Sequence, residues 1–210
     1  MDFYVFELLW KICADSGKNE GERSMLKFNC LLPRVYLKAN GTKYGKELKM
    51  IGWPFVFRFP HATLELGDRC CINSNFWSNL LGLYQRTIII ARGNGKIHIG
   101  SDVGISGASI YAVDEITIGD HCKIGANVKI VDNDFHPLDP QARREEDREQ
   151  IGHRPIRIGN DVFIGMNAII LKGTELGDGC VVGAGAVVSG RFEPNSVIGG
   201  NPARVIKTLK

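Results

Sequence analysis

Between Ile158 and Val188 the inward-type side chains recur at alternating intervals of four and two residues: Ile158, Val162, Ile164, Ala168, Ile170, Thr174, Leu176, Cys180, Val182, Ala186 and Val188. All these positions are even, as a strand with one buried face requires, yet every third even position (Asn160, Met166, Lys172, Asp178, Ala184) breaks the pattern. A straight strand would bury them all. The chain must therefore turn a corner once per six residues, placing a bulky aliphatic and then a small side chain inward on each short strand. Gly159, Gly165, Gly177 and Gly183 follow the aliphatic position, where a residue without Cβ is expected to accept a conformation that others resist.

A six-residue period of this kind is the signature of a parallel β-helix in which three hexads close one triangular coil. Ile158 is then expected to stack on Leu176, Val162 on Cys180, Ile164 on Val182 and Ile170 on Val188, in coils about 4.8 Å apart. Two ordinary half-buried sheets would instead need continuous alternation and hairpin turns.

The 210 residues suffice for one elongated domain with an appendage. Phe3, Phe6, Leu9, Trp10 and Cys13 recur at helical spacing, predicting a short helix that caps the coil or lies on a membrane surface. Capping is preferred because no basic residue precedes Lys11, and Asp15 to Ser24 reads as a linker. Trp53, Phe55, Phe57 and Phe59 alternate as a strand with one aromatic face and mark the first coil. Leu66-Gly67, Cys70 and Ile72 repeat the hexad once. A less regular segment then carries Trp77 and Tyr84, suited to stacking on a sugar ring or to packing in a core or interface. The pattern returns at Ile99, slips by one residue near Tyr111, which implies a bulged corner, and resumes from Ile118 to Ile130. The expected division is 1–47 as N-terminal helix and linker, 48–189 as β-helix with an excursion loop at 137–155, and 190–210 as a C-terminal tail.

Six beyond Ile130 stands His136, where an aliphatic residue should enter the core, followed by Pro137. It lies among Asp132, Asp134 and Asp139, the candidate orienting acids, at the point where the chain leaves its scaffold. An imidazole held through one nitrogen leaves the other free as a base near neutral pH; a satisfied structural histidine is the alternative. The charged segment from Pro137 to Pro155 is an excursion, and its arginines are read as solvated surface.

A net charge of +3 does not argue for a nucleic-acid partner. No metal is expected, since the six cysteines have no paired ligand spacing and Cys122 and Cys180 fall on small inward positions as buried thiols. His61, His98, His121, His136 and His153 show no recognisable ligand pair, leaving an interface metal as a minority reading. Glycine clusters at 93–95 and 183–185 lack the context of a dinucleotide fingerprint, and no nucleophile elbow occurs. The apolar opening is too short to span a bilayer, so a cytoplasmic location is expected and membrane contact is not.

The segments IGDHCKIGANVKI, DNDFHPLD, PIRIGNDVFIGMNAIILKG, GDGCVVGAGAVVSG and GGNPARVIK, in that order, resemble the hexapeptide-repeat acyltransferases, within them the galactoside, maltose and capsular-polysaccharide O-acetyltransferase group. The resemblance covers about Leu48 to Lys207. It implies an all-β chain, a left-handed parallel β-helix of hexapeptide repeats with a short N-terminal helical segment and one long excursion loop. It further implies a homotrimer with active sites between subunits, acetyl-CoA as donor, and a sugar or glycan acceptor. The family's catalytic histidine maps onto His136. Gly165, Ala168, Gly183 and Ala184 are the implied small residues along the pantetheine arm, whose alternative is corner geometry; Arg204 and Lys207 fall near the CoA phosphates, with a solvated terminus as alternative. Ser106 stands at the rough counterpart of the family's upstream acceptor-site asparagine, and Phe163 replaces its tryptophan. The expected activity is an acetyl-CoA-dependent O-acetyltransferase acting on a sugar or surface-polysaccharide precursor. A carbonic-anhydrase-like metal enzyme and a non-catalytic trimeric scaffold are the alternatives.

Overall fold

The computed structural model describes residues 33–210, so the helix expected from Phe3 to Cys13 and the linker after it lie outside the described residues. Three parallel sheets of short strands run along the molecule, and successive strands of the chain visit them in turn. One face stacks Lys43–Tyr44, Thr63–Leu66, Lys96–Ile99, Glu115–Ile118, Ile156–Ile158, Glu175–Leu176 and Arg191–Phe192. A second runs from Lys49–Ile51 through Cys71–Asn73, Gly104–Ser106, Lys123–Ile124, Phe163–Ile164 and Val181–Val182 to Ser196–Gly200. The third holds Phe55–Arg58, Ile88–Ala91, Ser109–Ala112, Lys129–Val131, Ile169–Ile170 and Val187–Val188. This is a left-handed parallel β-helix.

The expected registers hold where strands record them: Ile158 pairs with Leu176, Ile164 with Val182 and Ile170 with Val188. Beneath them lie Ile118, Ile124 and Ile130. These residues are buried, forming a column of aliphatic side chains with Cys122, Val128, Val162, Ala168, Cys180 and Ala186 at the inner corners. Each full burial of a branched aliphatic is worth about 1.5–3 kcal/mol. The thiols at these corners behave as small apolar groups, and desolvation raises the Cys122 thiol to about 11.

The corner glycines require a correction. Left-handed backbone does not occur at Gly159 or Gly165 but two residues later, at Asp161 (φ 55) and Asn167 (φ 58). Glycine is needed at the earlier site because adjacent coils approach there. A Cβ on Gly165 would stand 2.6 Å from the Ala184 nitrogen, and one on Gly159 would stand 2.4 Å from Asp178 Oδ1.

The winding also extends beyond both expected limits. Tyr44 takes the aliphatic position and pairs with Leu66, so the first sheet takes in a strand ahead of Leu48. At the other end Phe192, Ser196 and Ile198 keep the four–two spacing, and Ile198 pairs with Val182. The coil therefore passes Val188 before Ala203–Thr208 returns antiparallel along Ser196–Gly200.

The aromatic face of the first coil points outward: Trp53, Phe55, Phe57 and Phe59 are exposed, while Val56 is buried. Trp77 and Tyr84 are also exposed, Trp77 edge-on to Phe76 and Tyr84 beneath the Lys129 ammonium. Neither packs in this chain's core. No helix among the described residues is long and apolar enough to cross a membrane.

Candidate active site

The slip near Tyr111 builds one wall of the site. Ile105 stacks on Ile124 and Ile110 on Ile130, so the corner after Ile105 is one residue short and the corner after Ala112 is lengthened. The longer corner exposes main-chain N–H groups inside the fold, and Asp132, fully buried, supplies the acceptors. Its carboxylate accepts from Val113 N at 3.0 Å, Asp114 N at 2.8 Å and Asn133 Nδ2 at 3.1 Å. Burial nevertheless pushes this carboxyl above its ordinary range.

The excursion leaves and re-enters through an antiparallel neck. Asn133 bridges His153, Asp134 N donates to Gly152 O at 3.0 Å, and Arg154 N donates to Asp132 O at 2.9 Å. Asp134 forms an ion pair with Lys172 that ties the neck to the following coil. Gly152 sits against this pair, where a Cβ would lie 2.6 Å from Lys172 Nζ. Within the excursion, Asp139 caps the short helix Pro140–Arg144 by accepting from Ala142 N at 2.8 Å. Pro140 at the first helical position carries no N–H to leave unpaired.

These contacts give the three candidate orienting acids other work: Asp132 holds a corner, Asp134 holds Lys172, and Asp139 caps a helix. His136 stands where the spacing implies that the coil ends or distorts. The chain has already left the coil, so its side chain is exposed rather than turned into the core. A tight turn sets it, in which Phe135 N donates to Asn133 Oδ1 at 2.9 Å and His136 N donates to Asp134 O at 2.7 Å. Phe135, in the left-handed region at φ 62, packs on Tyr111 with ring centroids 5.0 Å apart.

His136 opens onto a groove of about 820 Å³ lined by Arg92, Tyr111, Phe135, Arg143, Glu146, Arg148 and His153, among others. The imidazole of His153 is fixed by Asp114, Nδ1 to Oδ2 at 2.8 Å. Sequence reasoning treated His153 only as a metal candidate. Its signal lay in its position, since Asp132-Asn133-Asp134 and Gly152-His153-Arg154 are the two sides of one neck. Among the described residues no group of three His, Cys, Asp or Glu side chains is clustered to hold a metal ion; His98, His121 and His153 each stand beside one carboxylate.

Most of the remaining candidates lie along another corner. The register places Ser106, Gly125, Gly165, Gly183 and Gly199 in one column, because each follows a stacked aliphatic residue of the second face. Ser106 Oγ accepts from Asn73 Nδ2 at 3.1 Å, one coil below. Gly165 is buried and Ala184 exposed, whereas Ala168 faces the core and cannot line an outer edge. Arg204 pairs with Gly199 and Lys207 with Val197 on the exposed return strand, above this column. Ser106 is absent from the lining of the His136 groove, so one chain does not bring the two sets together.

Comparison with known proteins agrees with this architecture. A family model described as the hexapeptide repeat of succinyl-transferase matches residues 115–130 and 155–189. A putative acetyltransferase of Dictyostelium discoideum is 43% identical over 155 residues, covering 73% of this chain and 80% of that protein. The galactoside O-acetyltransferase of Escherichia coli K12 is 36% identical over 116 residues, 54% of this chain and 55% of its own length. The putative lipopolysaccharide biosynthesis O-acetyl transferase WbbJ of the same strain is 34% identical over 123 residues, 56% of this chain and 63% of its own. The match thus spans little more than half the length of these two relatives. Among solved structures, AntD, an N-acyltransferase from Bacillus cereus in complex with dTDP and 3-hydroxybutyryl-CoA, superposes with a TM-score of 0.65 at 21% identity, covering 84% of this chain and 88% of that one. That likeness is one of fold. With the hexad registers, the matched repeats and the extended identity to the Dictyostelium protein, the chain belongs to the hexapeptide-repeat acyltransferase family.

Proposed function

We propose that the chain is an O-acetyltransferase that moves an acetyl group from acetyl-CoA to a hydroxyl of a sugar or surface-polysaccharide precursor in the cytoplasm. The names of its relatives support the chemistry. The observation that carries the reading is the division of candidates between two corners. One holds the small-residue column with Ser106 below and Arg204 above; the other holds the groove of His136. A homotrimer sets one corner of a protomer against another of its neighbour and makes a complete site at each junction.

In that site the pantetheine arm lies along Gly183 and Ala184, over the close approach of coils that Gly165 permits, and Arg204 and Lys207 meet the CoA phosphates as charge-assisted donors. His136 accepts the proton of the acceptor hydroxyl as its oxygen bonds to the thioester carbonyl carbon. The tetrahedral intermediate collapses with cleavage of the carbon–sulfur bond, and the imidazolium returns the proton to the departing sulfur. No acyl-enzyme is required. Base assistance of this kind contributes about 10²–10⁴ in rate.

The test is His136→Ala, assayed for acetyl transfer to a panel of sugars beside calorimetric binding of acetyl-CoA and the mass in solution. Turnover is expected to fall about 100-fold or more, with trimer mass and CoA affinity retained. Undiminished turnover overturns the role of His136. Wild-type protein that binds no CoA, or is monomeric, overturns the composite site.

A further inference from the structure

We infer that the groove beneath the excursion receives an acceptor bearing an anionic group, a phosphate or a carboxylate, beside the hydroxyls of its sugar. The inference rests on the acetyl-transfer reading for the groove being the acceptor site and goes beyond it in assigning the acceptor's charge. Three guanidinium groups line the groove, from Arg92, Arg143 and Arg148, against the single carboxylate of Glu146. None of the three forms an ion pair among the described residues. Of the exposed arginines elsewhere, Arg69 pairs with Asp102 at 2.6 Å and Arg191 with Glu175 at 2.7 Å, while Arg86, Arg144, Arg154 and Arg204 form no ion pair among the described residues; what sets the groove apart is that three such guanidinium groups converge on one concave surface.

The partners of Arg92 and Arg143 are neutral and fix their position without cancelling their charge. Arg92 donates to the Tyr111 hydroxyl at 3.2 Å and lies 5.9 Å from the centre of the Phe59 ring. Arg143 donates to the carbonyls of Pro137 at 3.0 Å and Leu138 at 3.1 Å. The Arg148 guanidinium has no hydrogen-bond partner among the described residues. Guanidinium forks match the two oxygens of a phosphate or carboxylate, and the apolar walls of Phe135, Val113 and Ile151 are low-dielectric surfaces beside these charges that help to focus their field in the groove.

His153 supplies the other half of the recognition. His153 Nδ1 is engaged by Asp114 Oδ2, which leaves Nε2 to meet a sugar hydroxyl, as its acceptor in the tautomer that carries the proton on Nδ1. The neck holds both partners still, because Asp132 binds the Asp114 main chain and Asn133 bridges His153. The volume of about 820 Å³ suits a ligand larger than one neutral hexose.

The experiment is titration calorimetry on the intact chain at low salt with galactose, galactose 1-phosphate, galacturonate and inorganic pyrophosphate. At least one anionic sugar is expected to bind tenfold or more tightly than galactose, and the difference between the two identifies the anion as phosphate or carboxylate. Arg92→Gln and Arg148→Gln should each weaken the anionic probes about tenfold and leave acetyl-CoA affinity unchanged, while Arg148→Lys, which keeps the charge and loses the fork, retains only part of the preference. His153→Ala should weaken the sugars and spare pyrophosphate. Melting curves for each variant establish that it is folded. Equal affinity for galactose and its charged relatives, no binding of any anionic probe, or an unchanged Arg148→Gln overturns the inference. Acetyl-CoA binding in the same protein separates the two readings. If CoA binds without an anion preference, only the acceptor's charge is wrong; if the preference holds and CoA does not bind, acetyl transfer is wrong.

Discussion

Two glycines twenty positions apart sit in equivalent turns of neighbouring coils and should fail for opposite reasons. Gly165 carries no backbone strain, but a Cβ there would meet Ala184 N at 2.6 Å and both Gly183 C and Val182 O at 2.9 Å. All are backbone atoms of the next coil, which cannot rotate away. Reaching ordinary contact requires a separation of about 0.8 Å or more between coils, against a dispersion optimum of roughly 3.5–4.0 Å. Gly165 N now donates to Val182 O at 2.7 Å, and Gly185 N to Met166 O at 2.9 Å; that separation lengthens both bonds toward the limit of useful interaction. One lost bond at about 1 kcal/mol and an overpacking cost of about 1–3 kcal/mol give roughly 2–4 kcal/mol for Gly165→Ala. Gly185 is the reverse case: nothing lies within 4 Å of its hypothetical Cβ, but its φ is +69. Gly185→Ala should cost about 1–2 kcal/mol of left-handed strain alone. The assay is equilibrium urea unfolding of both variants at one protein concentration, so that any self-association contributes equally. A Gly165→Ala loss equal to or smaller than that of Gly185→Ala would refute the close-approach account of the hexad glycine.

Asp139→Ala removes the cap of the helix Pro140–Arg144 and should cost that segment about 0.5–2 kcal/mol, read as faster amide exchange from Ala142 to Glu145 with little change in global unfolding. Cys70, Cys122 and Cys180 are buried with thiols raised by desolvation; iodoacetamide at pH 8 should leave them unlabelled in native protein and label them in urea, as located by peptide mass spectrometry. The Arg69 guanidinium holds the Asp102 carboxyl below its usual value. Because the folded value is depressed, this pair's stabilisation is complete above the unfolded carboxyl range and is lost as pH falls through the folded one. Asp102→Asn should therefore flatten the acid side of a melting-temperature profile, and an identical acid limb in both proteins would disprove the coupling.

The coil was legible because its inward positions are repetitive and chemically simple: Ile158, Ile164 and Ile170 declare their neighbours by spacing alone. Its ends were harder to read because the same four–two rule there uses atypical residues, Tyr44 for an aliphatic and Ser196 for a small apolar one. The glycine was found for the wrong reason, since spacing marks a position without saying whether the backbone or the next coil forbids a Cβ. At the site, the histidine at the coil's exit could be singled out. Its neighbours could not, because Asp114 meets His153 across 39 residues of sequence and the neck that joins them has no periodicity. The carboxylates nearest His136 in sequence proved to serve the corner, the neck and the helix, an outcome that only three-dimensional hydrogen bonding decides.

The antiparallel return of Ala203–Thr208 has a bearing on solubility. A parallel coil would otherwise offer its terminal strand as a template on which another copy could continue the winding. By running the opposite way along Ser196–Gly200, the last strand occupies that strand's hydrogen-bonding edge and presents Arg204, Val205, Ile206 and Lys207 to solvent in place of another hexad. Among the described residues, the second of the three faces is the one closed in this manner. End-to-end polymerisation is thereby discouraged at the face that also carries the small-residue column.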